Sequence, residues 1–186
     1  MEYLDREDSN EGISGKDIDW FVQIDHYYIH AASAGGIVPA VIRENVKSNE
    51  VIAQAVREMP LQFEEEDIII NPYLHQILHL DEQQVLFVLS ACNISKENDP
   101  IDTYIRAIYG YSFIKFARKG FVSFDKTDIN DFDDPCYHWV ACPSREYNSE
   151  VKLSDVPVIK KSHLKKHFSC EPFDLISFID MSIMSD

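Results

Sequence analysis

Residues 19–32 read Asp19-Trp20-Phe21-Val22-Gln23-Ile24-Asp25-His26-Tyr27-Tyr28-Ile29-His30-Ala31-Ala32. Trp20, Val22 and Ile24 alternate with Phe21, Gln23 and Asp25, and Tyr27, Ile29 and Ala31 alternate with Tyr28, His30 and Ala32. A period of two marks a half-buried strand, because successive side chains leave opposite sides of a pleated backbone. Two such runs separated by Asp25 and His26 predict an N-terminal β-hairpin.

Downstream of the hairpin the period changes. Residues 33–36 break the strand, and Pro39 suits the first turn of a short helix reaching about Val46. Ser48 is an expected N-cap for a helix over 49–58, with Val51, Ile52, Ala55 and Val56 on one face and Pro60 beyond its end. Residues 72–80 and 81–91 are read as further helices, the second capped by Asp81. The strongest helical signal covers 100–119. Asp99 stands at the N-cap, Pro100 at N1, Asp102 in the first turn, and Arg118 and Lys119 in the last, with Gly120 at C′. Its apolar and aromatic content is nearly all-round, so a long buried helix is expected. Strands follow at 121–124 and at 136–142, the latter with Tyr137, Trp139 and Ala141 on one face. A basic helix is expected over 157–168 and a final strand over 173–179. Strands in pairs around clustered helices predict an α+β fold, a single domain with a mainly antiparallel sheet and a helical middle region. Residues 1–16, polar and acidic with Gly12 and Gly15, are expected to form a flexible arm on a globular domain spanning 17–186.

The chain has 186 residues with 17 Lys+Arg against 32 Asp+Glu, a formal net charge of −15. That balance opposes non-specific nucleic-acid binding, which needs cations for phosphate, and opposes docking on an anionic membrane surface. No stretch approaches the ~20 apolar residues of a membrane span, and the acidic N-terminus is unlike a secretory leader. Cytoplasmic location is the expectation, with Cys92, Cys136, Cys142 and Cys170 as reduced thiols, since no Cys-x-x-Cys pair occurs.

Candidate chemistry is sparse. His75 and His79 stand four apart, as do His163 and His167, a spacing that on a helix places two imidazoles on one face and can bind zinc. Gln76 stands where the metalloprotease motif has Glu, so a third ligand or base would come from nearby, with Glu82 the candidate. Cys136 and His138 would share a strand face, but Asp133 and Asp134 oppose the thiolate that nucleophilic catalysis needs. Residues 125–134 hold five aspartates and Asn130, yet fail the calcium-loop register with Phe132 and Trp139 at ligand positions. Gly35-Gly36 reads as a tight turn. No cofactor motif is present, and no complete catalytic constellation stands in the chain.

Charge is segmented: an acidic N-terminal stretch, the run Glu64-Glu65-Glu66-Asp67, the loop with Asp128, Asp131, Asp133 and Asp134, and a basic segment with Lys160, Lys161, Lys165 and Lys166. An acidic surface keeps a protein soluble, or steers a basic protein partner.

The segments Asp19-Trp20-Phe21, His30-Ala31-Ala32-Ser33, Gly35-Gly36 and Pro39 resemble the opening of certain small bacterial proteins. Gly120-Phe121, Tyr137-His138-Trp139-Val140-Ala141-Cys142-Pro143 and Leu153-Ser154-Asp155-Val156-Pro157 are similar to their later segments. The resemblance covers about a third of the chain, and its motifs are structural. Some of those proteins resemble acidic immunity proteins that neutralise polymorphic toxins, which implies a non-enzymatic inhibitor and carries over no site residues. The charge runs themselves supply the partner-binding residues to test: Glu64, Glu65, Glu66, Asp67, Asp128, Asp131, Asp133 and Asp134. A metal-dependent hydrolase using His75, His79 and Glu82 is the alternative expectation. A structural or signalling module without chemistry is the third.

Overall fold

The computed structural model describes residues 17–24, 27–36, 38–95, 99–131, 136–144, 153 and 156–158. Five strands form one sheet in the order β1-β2-β4-β5-β3: β1 Asp19–Ile24, β2 Tyr27–Ala32, β3 Ile68–Ile70, β4 Phe121–Lys126 and β5 Tyr137–Pro143. The predicted hairpin is present, with Ile24 opposite Tyr27 and Asp19 opposite Ala32. Three strand pairings are antiparallel and one, β2 with β4, is parallel, so the sheet of this α+β domain is mixed. A parallel pair needs a long crossover. The helical middle supplies it with α1 Ala40–Arg43, α2 Val46–Glu58, α3 Leu74–Ile77, α4 Glu82–Ala91, α5 Pro100–Tyr104 and α6 Tyr111–Ala117.

Both sides of β1 are covered, which corrects the half-buried expectation: Trp20, Phe21 and Val22 are all fully buried. Trp20, Val22 and Ile24 pack with Ile29, Phe124 and Ile42 on one face. On the other, Phe21 and Phe121 pack with Ile52, Val56 and Phe116. Val51, expected on the apolar face of α2, is 70% exposed, while Asn49 is buried and ties α2 to the sheet. Its amide donates to the Asp19 carbonyl at 2.8 Å, and its Oδ1 accepts from the Phe21 N–H at 3.2 Å. Helix α2 starts at Val46 rather than after Ser48.

In β5 the expected face is corrected by a bulge. Phe124 pairs with Trp139 while the adjacent Ser123 pairs with Ala141, so one extra residue sits in β5. An inserted residue reverses the alternation. Tyr137 and Trp139 therefore join one core cluster and Ala141 the other.

The continuous helix expected over 100–119 is likewise interrupted. Between α5 and α6, residues Ile105–Tyr109 form a π-turn, closed by Gly110 N–H donating to the Ile105 carbonyl at 2.6 Å. Gly110 is required there, because a Cβ would lie 2.5 Å from that carbonyl oxygen. The extra residue shifts the following face by ~100°. Tyr111, predicted on the buried stripe, is 65% exposed, whereas Phe113, Ile114, Phe116 and Ala117 are buried. The Asp99 cap, the Asp81 cap and a positive φ at Gly120 all form as predicted. Lys119 does not cap its own helix. Its Nζ donates to the Val56 and Arg57 carbonyls at 2.7 Å each, capping the C-terminus of α2. The arm at 1–16, the final strand at 173–179, the helix at 157–168 beyond Val158, the second histidine pair and Cys170 lie outside the described residues.

Candidate functional site: a polar row beneath the helical layer

The strand register places Asp19 of β1, Ala32 of β2, Asp125 of β4 and His138 of β5 in one row across the sheet. The next row on the same face contains Phe21, His30 and Ser123. Two histidine networks grow from these rows.

In the first, His30 Nε2 lies 3.1 Å from Asp19 Oδ1 and Nδ1 lies 3.3 Å from Ser123 Oγ. The Asp–His–Ser chain has the residue types of a hydrolytic triad. It is sealed: Ser123 is fully buried, His30 is 1% exposed, and the imidazole stacks on Phe116 at 3.8 Å between centroids. Burial holds the His30 pKa below its ordinary value, partly opposed by the Asp19 carboxylate. A neutral ring donating through Nε2 to Asp19 and accepting at Nδ1 from the Ser123 hydroxyl satisfies every polar atom of the chain. For Asp19, burial acts upward, but the hydrogen bonds from His30 and Arg57 and the Arg57 charge bring its carboxyl below the usual value. Arg57 pairs with Asp19 at 3.2 Å, and both line a cleft of about 220 Å³ together with Asp17, Asn49 and Glu50.

The second network is built by the π-turn, which delivers Tyr109 over the sheet. Its hydroxyl donates to Asp125 Oδ2 at 2.8 Å and lies 3.0 Å from His138 Nε2. His138 Nδ1 is 3.3 Å from Thr127 Oγ1, and the Lys126 N–H donates to Asp125 Oδ1 at 2.8 Å. One proton arrangement satisfies them all: Thr127 donates to Nδ1, Nε2–H donates to the Tyr109 oxygen, and Tyr109 donates to a carboxylate. Burial pushes the Asp125 pKa up to about 6, against the hydrogen bonds from Tyr109 and Lys126, and lowers His138 to about 4. Burial and the Asp125 carboxylate also raise the Tyr109 hydroxyl. These groups hold protons in place, and His138 turns toward Tyr109 and Thr127.

Sequence reading missed Tyr109, Asp125, His30 and Ser123. The one available signal was Gly110, an isolated glycine inside a helical pattern.

The predicted residues fall elsewhere. Glu65, Glu66 and Asp67 form a 3-10 turn before β3, with Glu65 and Glu66 exposed; Glu64, just before it and 82% exposed, pairs with Arg118 at 3.4 Å. Asp67 adjoins the C-terminal end of β5, where its carbonyl accepts from Ser144. Asp128 and Asp131 are exposed beyond β4, at the N-terminal end of β5, and Asp128 Oδ1 accepts from the Asn130 N–H. The two acidic segments thus stand at opposite ends of β5, about 20 Å apart at ~3.3 Å per residue. Asp133 and Asp134 lie outside the described residues.

The shared helical face expected for His75 and His79 is corrected. Helix α3 stops at Ile77, and His79 has a φ of 49°, so the backbone turns left-handed before the second imidazole. Both are exposed, His75 Nδ1 lies 3.2 Å from the Pro72 carbonyl, and Glu82 begins α4. Among the described residues, no three His, Cys, Asp or Glu side chains gather to hold a metal. Burial pushes the Cys142 thiol up to about 12, so it is inert as a nucleophile. At Gly36, a Cβ would fall 2.6–2.8 Å from the buried Lys126 side chain, so the Gly35-Gly36 turn serves packing.

The fold and site define a mixed-sheet α+β protein with internal histidine networks and outward carboxylates. No helix among the described residues is long and apolar enough to cross a membrane. Comparison of the chain with protein-family models, curated proteins and solved structures gave no match.

Proposed function

We propose that this is a non-enzymatic binding protein of the inhibitor or immunity type, whose acidic surface engages a basic protein partner. The observation that carries it is the division between inside and outside. The imidazoles and hydroxyls able to do chemistry on the central sheet are committed to one another, while Glu64, Glu65, Glu66, Asp128 and Asp131 face solvent on a chain of net charge −15. Two acidic ends about 20 Å apart fit within one standard interface footprint, which at ~800 Å² per partner is roughly 30 Å across. Complementary potential of this kind raises the association rate and falls with salt.

Affinity capture from the native cell, with the neighbouring gene product expressed, is the test. Retention of a basic protein that weakens as salt rises, and at least tenfold on Glu64, Glu65 and Glu66→Lys or on Asp128 and Asp131→Lys, is expected. Absence of a partner, or binding indifferent to salt and charge reversal, sinks the proposal.

A further inference from the structure

The two edges of the sheet are treated differently by the chain. At the β1 edge, the Gln23 N–H donates to the Pro157 carbonyl at 2.9 Å, and Gln23 forms a parallel bridge with Val158. At the other edge, β3 is the last strand of the sheet among the described residues. Its register fixes which backbone groups face outward. The Asn71 N–H donates to the Val140 carbonyl and the Ser144 N–H to the Asp67 carbonyl, in register with the Ile69–Cys142 pair. Antiparallel residues alternate between bonded and non-bonded pairs, so Ile69 turns its backbone toward β5 while Ile68 and Ile70 turn theirs outward. The Ile68 N–H is taken by the Glu65 carbonyl. Among the described residues, nothing bonds the Ile68 carbonyl or the N–H and carbonyl of Ile70. The side chains of Ile68 and Ile70 pack into the core under the helices, and Ile69, on the opposite face, is 38% exposed.

We propose that the β3 edge takes an extended segment of the basic partner as an added strand, which rests on the reading above that the partner is basic. Two observations specify the occupant. Donor and acceptor groups directed outward from one extended backbone are met in kind by another extended backbone. Charge then selects among strands. Glu64, Glu65, Glu66 and Asp67 run directly into Ile68, the first three exposed. An acidic flank repels the strand of a second −15 chain and attracts one that carries Lys or Arg. Glu64 is shared with Arg118, so Glu65 and Glu66 are the main charge contacts. Directly opposite residues of paired strands share a face, so the added strand places an apolar side chain over Ile69 and a basic one at the end that meets Glu65 and Glu66. With β3 only three residues long, the ladder is short. The edge therefore sets register, and the acidic surface supplies most of the attraction.

Amide NMR and hydrogen exchange of the full chain test it, with three synthetic peptides as probes. The first alternates threonine and valine and ends in two lysines. The second is the same peptide with its strand nitrogens methylated, and the third has glutamates in place of the lysines. The lysine peptide should shift the amide resonances of Ile68, Ile69 and Ile70 and, at saturation, slow exchange of the Ile70 amide about tenfold. It should bind about tenfold more tightly than either of the others, and more weakly as salt rises. Equal binding of the methylated peptide overturns the added strand while leaving the basic-partner reading intact, because charge alone then holds the peptide. Equal binding of the glutamate peptide overturns the charge selection at this edge. An Ile70 amide that responds to none of the peptides overturns the proposal, and affinity capture then decides the basic-partner reading separately. So does an Ile70 amide already protected in the free protein: protection lost on dilution assigns the edge to a second copy, and protection that survives dilution assigns it to the chain itself.

Discussion

His30 and His138 sit on the same face of the same sheet, in adjacent rows of the register, yet their networks differ in net response to protons, the first losing stability on acidification and the second nearly balanced. His30 is enclosed by Phe21, Phe113 and Phe116, with a carboxyl whose pKa is lowered and a fully buried serine as its partners. His138 meets Tyr109 beside Asp125, whose pKa is raised to about 6. In the first network both ionisable groups lose stability on acidification. The depressed His30 contributes stability above its unfolded value of 6.5 that is lost as pH falls and the unfolded chain takes the proton; Asp19 adds its loss below 3.8. In the second, His138 loses stability from 6.5 down to about 4. Asp125 gains it as pH falls through about 6 toward 3.8, because the folded carboxyl binds the proton first. The two shifts oppose each other over nearly the same window. The pairing of residue types, rather than burial alone, decides whether a buried histidine makes a fold acid-labile.

The largest way to test that contrast is His30→Ala. It removes the stacked ring and leaves Ser123 and Asp19 without their partner, for an expected cost of about 3–5 kcal/mol by urea denaturation. Tyr109→Phe keeps the ring beside Phe113 but removes the hydroxyl shared by Asp125 and His138. Its expected cost is about 1–3 kcal/mol; a cost above that of His30→Ala would reverse the ranking of the networks. Gly110→Ala forces the π-turn to shift and should cost about 1–2 kcal/mol. The Asp125 carboxyl pKa, followed by carboxyl NMR, should move as Tyr109 is displaced. An unmoved Asp125 would show that the turn does not position the network. The smallest effect sharpens the comparison most. The stability difference between wild type and His30→Asn should shrink as pH falls from 7 to 5, whereas that of a His138→Asn, Asp125→Asn double variant should stay nearly flat from 6 to 4. Equal pH slopes in both pairs would dissolve the distinction.

Local features were legible because local physics makes them. The hairpin alternation, the Asp81 and Asp99 caps and the Gly120 turn each depend on residues within a few positions. The networks were not, because His30 and Ser123 are 93 residues apart and Tyr109 and His138 are 29 apart. No spacing rule joins them until β2 pairs in parallel with β4. The faces of β5 and of the 100–119 helix were misplaced for one reason in both cases. A single inserted residue, at the bulge and at the π-turn, resets the phase on which every periodicity argument depends.

The sequence by itself determined the α+β class, the caps, and a net charge of −15 distributed in runs. Only the tertiary structure decided where those charges stand: two acidic segments at opposite ends of β5, the β3 edge beside one of them, and a row of Asp19, Asp125 and His138 assembled across three strands. Composition counts charges, but strand order and register fix the distances between them, and electrostatic interaction depends on distance and burial.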